Sequence, residues 1–62
     1  MAASRYRILI VDDDSFVRKL VTLHLAARPD FEPLEARDGV EAIRMARDES
    51  PDLILMDLSM PG

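Results

Sequence analysis

The acids whose types and spacing could do chemistry lie in two short stretches: Asp12, Asp13 and Asp14 follow the aliphatic run ILIV, and Asp57 follows the aliphatic run LILM. If those runs are adjacent parallel strands, Asp12 and Asp13 converge with Asp57 beyond the carboxyl ends of the sheet, where open α/β folds bind ligands. Carboxylates gathered that closely repel one another, and a hard cation removes the conflict. Mg²⁺ suits such a pocket because it takes oxygen ligands, keeps several waters, and is commonly held by one or two carboxylates plus a phosphate.

The elements that must position these acids can be read from periodicity. Tyr6 to Val11 is aliphatic and β-branched without polar alternation, as expected of a strand buried on both faces of a parallel sheet. From Ser15 the period changes. Phe16, Leu20, Leu23 and Ala27 recur at helical spacing, with Val17, Val21 and Leu25 widening the stripe, Asp14 or Ser15 as N-cap and Pro29 as the stop. Phe31 to Ala36 contains Pro33, which cannot donate to a ladder, so that strand belongs at a sheet edge. Asp38 and Glu41 form an acidic variant of the capping box and open a helix through Val40, Ile43 and Ala46, closed by Ser50 and Pro51.

The spacing therefore predicts a single domain over 1–62, of the α/β class, with strands at about 6–11, 31–36 and 53–57 and helices at about 15–28 and 39–48. Alternation of this kind argues a parallel sheet. An edge position for the second strand gives the order 2-1-3, and right-handed crossovers then put one helix on each face.

Composition narrows the rest. A chain of 62 residues buries only ~60% of the surface its unfolded form exposes, so its stability is expected to be marginal. There is no cysteine, hence no disulfide and no thiolate metal site. Twelve acidic residues against eight basic ones give a net charge of −4, which argues against nucleic acid and anionic membranes as partners. The uninterrupted apolar runs are far short of the ~20 residues that span a bilayer, and the first residues have no apolar signal core. A cytoplasmic location fits these features.

Taken together, ILIVDDD, EARDGVEAI and PDLILMDLSMPG resemble the receiver domain of bacterial response regulators, a family that itself serves as a standard example of the 2-1-3-4-5 flavodoxin-like order. The resemblance covers the whole chain and three of those five strands. It implies that Asp57 is the phosphoacceptor for a partner sensor histidine kinase and that Mg²⁺ is held by Asp12, Asp13, Asp57 and the backbone carbonyl of Ser59. Asp13 is then a direct ligand, and Asp12 positions metal-bound water. The chain would not itself be an enzyme. The family's later Ser or Thr and its Lys, which hold the phosphoryl group, have no counterpart within these residues. Arg18 and Lys19 sit on the first helix beyond the catalytic end and are not expected to stand in. The expectation is thus half of a receiver domain, able to bind metal and unable to signal, whose bare third strand pairs with that of a second copy in the order 2-1-3-3′-1′-2′.

Two other readings compete. ILIVDDDSF also resembles the first motif of haloacid-dehalogenase-like phosphatases, with Asp12 as nucleophile and Asp14 as acid, although Phe16 stands where that family has Thr. A self-associating structural fragment with inert carboxylates is the other. His24 is expected to be a half-buried histidine at the edge of the core. Arg37, Arg44 and Arg47 should form a solvated helix face, paired in part with Glu41 and Asp48.

Overall fold

A computed structural model describes residues 5–57. Five elements alternate along the chain: β1 (Tyr6–Val11), α1 (Ser15–Ala26), β2 (Phe31–Ala36), α2 (Gly39–Glu49) and β3 (Leu53–Met56). The three strands form one parallel sheet in the order β2-β1-β3. Pro33 sits on edge strand β2 opposite Ile8, so its missing N–H breaks no pairing with the central strand. Val11 is level with Ala36 on one side and with Met56 on the other, so β1 and β3 end together and release their aspartates side by side.

The core is centred on β1, with Leu9 and Val11 almost completely enclosed and Ile8 and Ile10 buried beside them. Leu9, Val11 and Ala36 pack against Ala42 of α2, with Leu34 and Met45 at the margin. On the other face Ile10 lies with Val17 and Val21 of α1 beside a cleft of about 340 Å³ that extends to Leu55. Strand alternation sends Leu9 and Ile10 to opposite faces, so each face carries one helix. Among the described residues neither helix packs against β3, and all four of its side chains are exposed.

Each helix buries only part of the stripe that periodicity suggests: Val21, Leu25 and Ala46 turn inward, and the larger apolar residues beside them do not. In α1 the half-buried positions are Arg18, Val21, Thr22 and Leu25, while Phe16, Leu20 and Leu23 are exposed. In α2 Ala42 is buried and Met45, Ala46 and Glu49 are half-buried along the same stripe, with Glu41 also half-buried beside the cap, while Val40 and Ile43 are 81% and 72% exposed. Each set follows i, i+3, i+4, i+7 spacing. Each helix carries apolar residues on more than one stripe, and the stripe with the smaller or more slender side chains lies against the two strands. Helix α1 also stops at Ala26, two residues before Arg28. Arg28 precedes proline, which disfavours helical backbone, and the last turn tightens as its N–H donates to the Leu25 carbonyl at 3.0 Å.

The caps follow the sequence closely. Asp14 Oδ1 accepts from the N–H groups of Phe16 and Val17 at 2.9 and 3.2 Å. Asp38 Oδ1 accepts from Glu41 N–H at 2.8 Å, and Glu41 returns the contact to Arg37 N–H, one residue ahead of the cap. Ser50 closes α2 in the left-handed region, at φ 47°. At the amino end of the sheet Arg7 is clamped by Glu49 and reaches Glu32, while its backbone exchanges hydrogen bonds with Asp52. Arg44 pairs with Glu41 three residues earlier, as the helix spacing suggested, and Arg47 with its chain neighbour Asp48. His24 is exposed, contrary to expectation, and its Nδ1 donates to the Leu20 carbonyl at 3.0 Å.

Candidate functional site

Strands β1 and β3 run parallel and end level, and each is followed at once by acid. Asp57 N–H donates to the Val11 carbonyl at 3.1 Å, which continues the ladder one residue past β3 and fixes the root of the Asp57 side chain. The carboxylates of Asp12, Asp13 and Asp57 each place an oxygen within 4.8 Å of the others. Asp12 is buried, Asp57 half-buried and Asp13 exposed, so the cluster grades from sheet to solvent.

Asp12 is the most constrained of the three. Its N–H donates to the Ala36 carbonyl of β2 at 3.2 Å. Its Oδ1 accepts from Asp14 N–H at 2.9 Å, which turns the chain sharply into α1. Its carbonyl accepts from Arg18 Nη1 at 2.7 Å. Arg18 was expected on the first helix beyond the catalytic end, with no role at the site. The first turn of α1 instead folds back over the loop and brings its guanidinium onto the loop backbone. No signal in composition or periodicity would have revealed that contact.

The donor set is three carboxylates without sulfur or imidazole, which fits a hard divalent cation. Ligands of one Mg²⁺ at ~2.1 Å lie at most about 4.2 Å apart, close to the 4.8 Å within which these three acids gather. Asp14 is not in the cluster, since the helix cap occupies it, and this removes the second acid that the phosphatase-like reading requires. Ser59, expected to add a backbone carbonyl, lies outside the described residues.

One further cluster adjoins the site. Glu35, the penultimate residue of β2, accepts from Arg18 Nε at 2.9 Å and from Lys19 Nζ at 3.0 Å. Burial pushes the Glu35 carboxyl up, but the hydrogen bonds and charges of Lys19 and Arg18 together outweigh it and hold the group below its ordinary value of 4.5.

Comparison with known proteins agrees with this geometry. The family model of the response regulator receiver domain matches residues 8–62. The chain is 49% identical over 57 residues to the transcriptional regulatory protein LiaR of Bacillus subtilis, covering 90% of this chain and 27% of that relative. It is 39% identical over 62 residues to a protein-glutamate methylesterase/protein-glutamine glutaminase of Pyrococcus abyssi, covering 98% of this chain and 17% of the relative. It is likewise 39% identical over 62 residues to the DNA-binding response regulator MtrA of Mycobacterium tuberculosis, covering 27% of that protein. Among solved structures, a chain in the crystal structure of the P1 domain of CheA3 in complex with CheY6 from R. sphaeroides superposes with a TM-score of 0.83 at 36% identity, covering 95% of this chain and 47% of that one. The chain therefore spans about a quarter or less of these curated relatives and about half of the structural neighbour.

Proposed function

The chain belongs to the family of response regulator receiver domains, and from that premise we propose that Asp57 is its phosphoacceptor and that Asp12, Asp13, Asp57 and the Ser59 carbonyl hold Mg²⁺. The observation that carries this reading is the convergence of the β1 and β3 acids within 4.8 Å. A carboxylate oxygen of Asp57 attacks the phosphorus of a phosphohistidine on a sensor histidine kinase. The O–P bond forms as the P–N bond breaks, and the departing imidazole keeps the electron pair and takes up a proton. Bound Mg²⁺ supplies positive charge that offsets the charge on the transferring group. Asp12, held at its N–H, its carbonyl and one carboxylate oxygen, would have its remaining oxygen free to position water on a bound Mg²⁺. Asp13, exposed beside it, is the direct ligand.

In this reading the chain receives a phosphoryl group from an enzyme and is not an enzyme itself. Its place is the cytoplasm, which is supported by the absence of cysteine and by the lack of any described helix long and apolar enough to cross a membrane. The hydroxyl and the lysine that the family uses on the phosphoryl group are not among residues 1–62, so this chain assayed alone takes up phosphoryl slowly and does not switch. The test is intact-mass spectrometry after incubation with phosphoramidate and Mg²⁺. One added phosphoryl group, absent without Mg²⁺ and absent in Asp57→Asn, supports the reading. Uptake that survives Asp57→Asn sinks it.

A second reading, self-association, is favoured by β3. It is an edge strand of four exposed apolar residues without proline or charge, whereas the opposite edge, β2, is protected by Pro33, Glu32 and Glu35. We propose that two copies of the 62-residue chain pair their β3 strands antiparallel about a two-fold axis. Sedimentation equilibrium at high micromolar concentration tests this, and a well-dispersed folded monomer rules it out.

A further inference from the structure

We propose that Arg18 is a positioning residue for the acidic site: it grips the Asp12 carbonyl with one arm of its guanidinium while Glu35 fixes the other. This rests on the Mg²⁺ reading above for its binding readout, and on geometry alone for the rest.

Three observations carry it. Arg18 is unusually enclosed for an arginine, with its side chain 17% exposed. It divides its donors between two acceptors on different elements, Nη1 to the Asp12 carbonyl at 2.7 Å and Nε to Glu35 Oε1 at 2.9 Å. Glu35 is in turn held by a second donor, Lys19 Nζ, so both of its oxygens are engaged by consecutive residues of α1. The result is a closed loop of contacts from the β1 tip through α1 to the β2 tip.

What the brace fixes follows from peptide geometry. The Asp12 carbonyl and the Asp13 N–H share one rigid plane, so anchoring the oxygen sets the direction in which the chain enters Asp13. Asp13 is the exposed member of the cluster, and burial does nothing to orient it. With Ala36 holding the Asp12 N–H and Asp14 holding Oδ1, Arg18 supplies the remaining restraint on the peptide that carries both acids. The positive charge is already matched by Glu35, so the group acts through its fork and not as a counter-ion for the pocket. Lysine keeps the charge but has no planar fork to span two acceptors.

The test compares the native 62-residue chain with Arg18→Lys, Arg18→Ala and, as a control at the far end of the sheet, Glu49→Gln, which weakens the Arg7 clamp. Mg²⁺ affinity is read from amide chemical shifts of Asp12, Asp13 and Asp57, and exchange of the Asp14 amide is read without metal. The expected result is about a tenfold loss of Mg²⁺ affinity in both Arg18 variants, the lower end of what outer-shell partners contribute. Faster Asp14 exchange should accompany it even in Arg18→Lys, and Glu49→Gln should change neither relative to its stability. Native-like affinity and exchange in Arg18→Lys overturn the proposal, as does an equal loss in Glu49→Gln. If the native chain binds no Mg²⁺ while Arg18→Lys still loosens Asp14, the metal reading falls and the positioning role stands. If Arg18→Lys leaves Asp14 exchange native-like, the positioning role falls.

Discussion

Leu9 and Leu53 are the same residue type on neighbouring strands, and the fold assigns them very different energetic weight. Leu9 on the central strand is 0% exposed, whereas Leu53 on β3 is 51% exposed. Removing three carbons, a methine and two methyls, from an enclosed site costs the transfer energy plus a cavity, ~2.7–5 kcal/mol for Leu→Ala. At Leu53 the cavity contribution vanishes because the surroundings are open, and only about half of the ~2 kcal/mol side-chain burial is at stake, roughly 1 kcal/mol. A single small core of this size rarely supplies more than ~3–5 kcal/mol in total, so Leu9→Ala should leave the native state barely populated in plain buffer. Urea unfolding followed by far-ultraviolet circular dichroism, run in sulfate so that all variants start folded, measures both costs. Dilute protein should show Leu9→Ala at least twice as damaging as Leu53→Ala. At high concentration the Leu53→Ala deficit should grow if β3 pairs with a second copy as proposed above. Equal costs in dilute solution would refute the assignment of the core to the Ile8–Val11 segment of β1.

Two further outcomes follow from local structure. The folded pKa of Glu35 lies below its unfolded value, so its pairing with Lys19 and Arg18 contributes stability that is complete above about pH 4.5 and is lost as pH falls through the folded value. Glu35→Gln should therefore flatten the acid limb of stability against pH, and an unchanged limb would remove Glu35 from the account. Ser50 holds a left-handed backbone that costs an L-residue roughly 1 kcal/mol and glycine little. Ser50→Gly should raise the urea midpoint, and a fall would mean that the hydroxyl makes a contact outweighing the strain.

Much of this was legible in the sequence because it rests on backbone chemistry that single residues announce. Pro33 fixed β2 at an edge, unbroken ILIV marked a strand covered on both faces, and Asp14, Asp38 and Glu41 marked helix starts by their capping ability. The convergence of Asp12, Asp13 and Asp57 followed from strand order alone. The helix faces were legible only in part, through Val21, Leu25 and Ala46. Each helix carries apolar residues on more than one side, and hydrophobic spacing cannot say which side meets the sheet. Val40 and Ile43 outrank Ala42 in hydrophobicity, yet Ala42 packs on Leu9 and Val11 because a small residue lets the helix approach. Arg18 escaped for a different reason. Its acceptors are a backbone carbonyl six residues back and a glutamate seventeen residues ahead, a pairing that only the packed fold brings together.

In the function proposed above, the tips of β1 and β3 form one divalent-cation site. Its most direct test is the unfolding free energy of the native chain, Asp13→Asn and Asp57→Asn as a function of Mg²⁺ at constant ionic strength. A ligand bound only by the folded state should raise native stability by about 1.4 kcal/mol for each tenfold increase in Mg²⁺ above its dissociation constant. Both variants should start more stable than native without metal, by about 1 kcal/mol for relief of repulsion at the solvent-facing side of the cluster, and should lose the Mg²⁺ dependence. A native chain indifferent to Mg²⁺, or a dependence that Asp57→Asn leaves intact, would contradict the account.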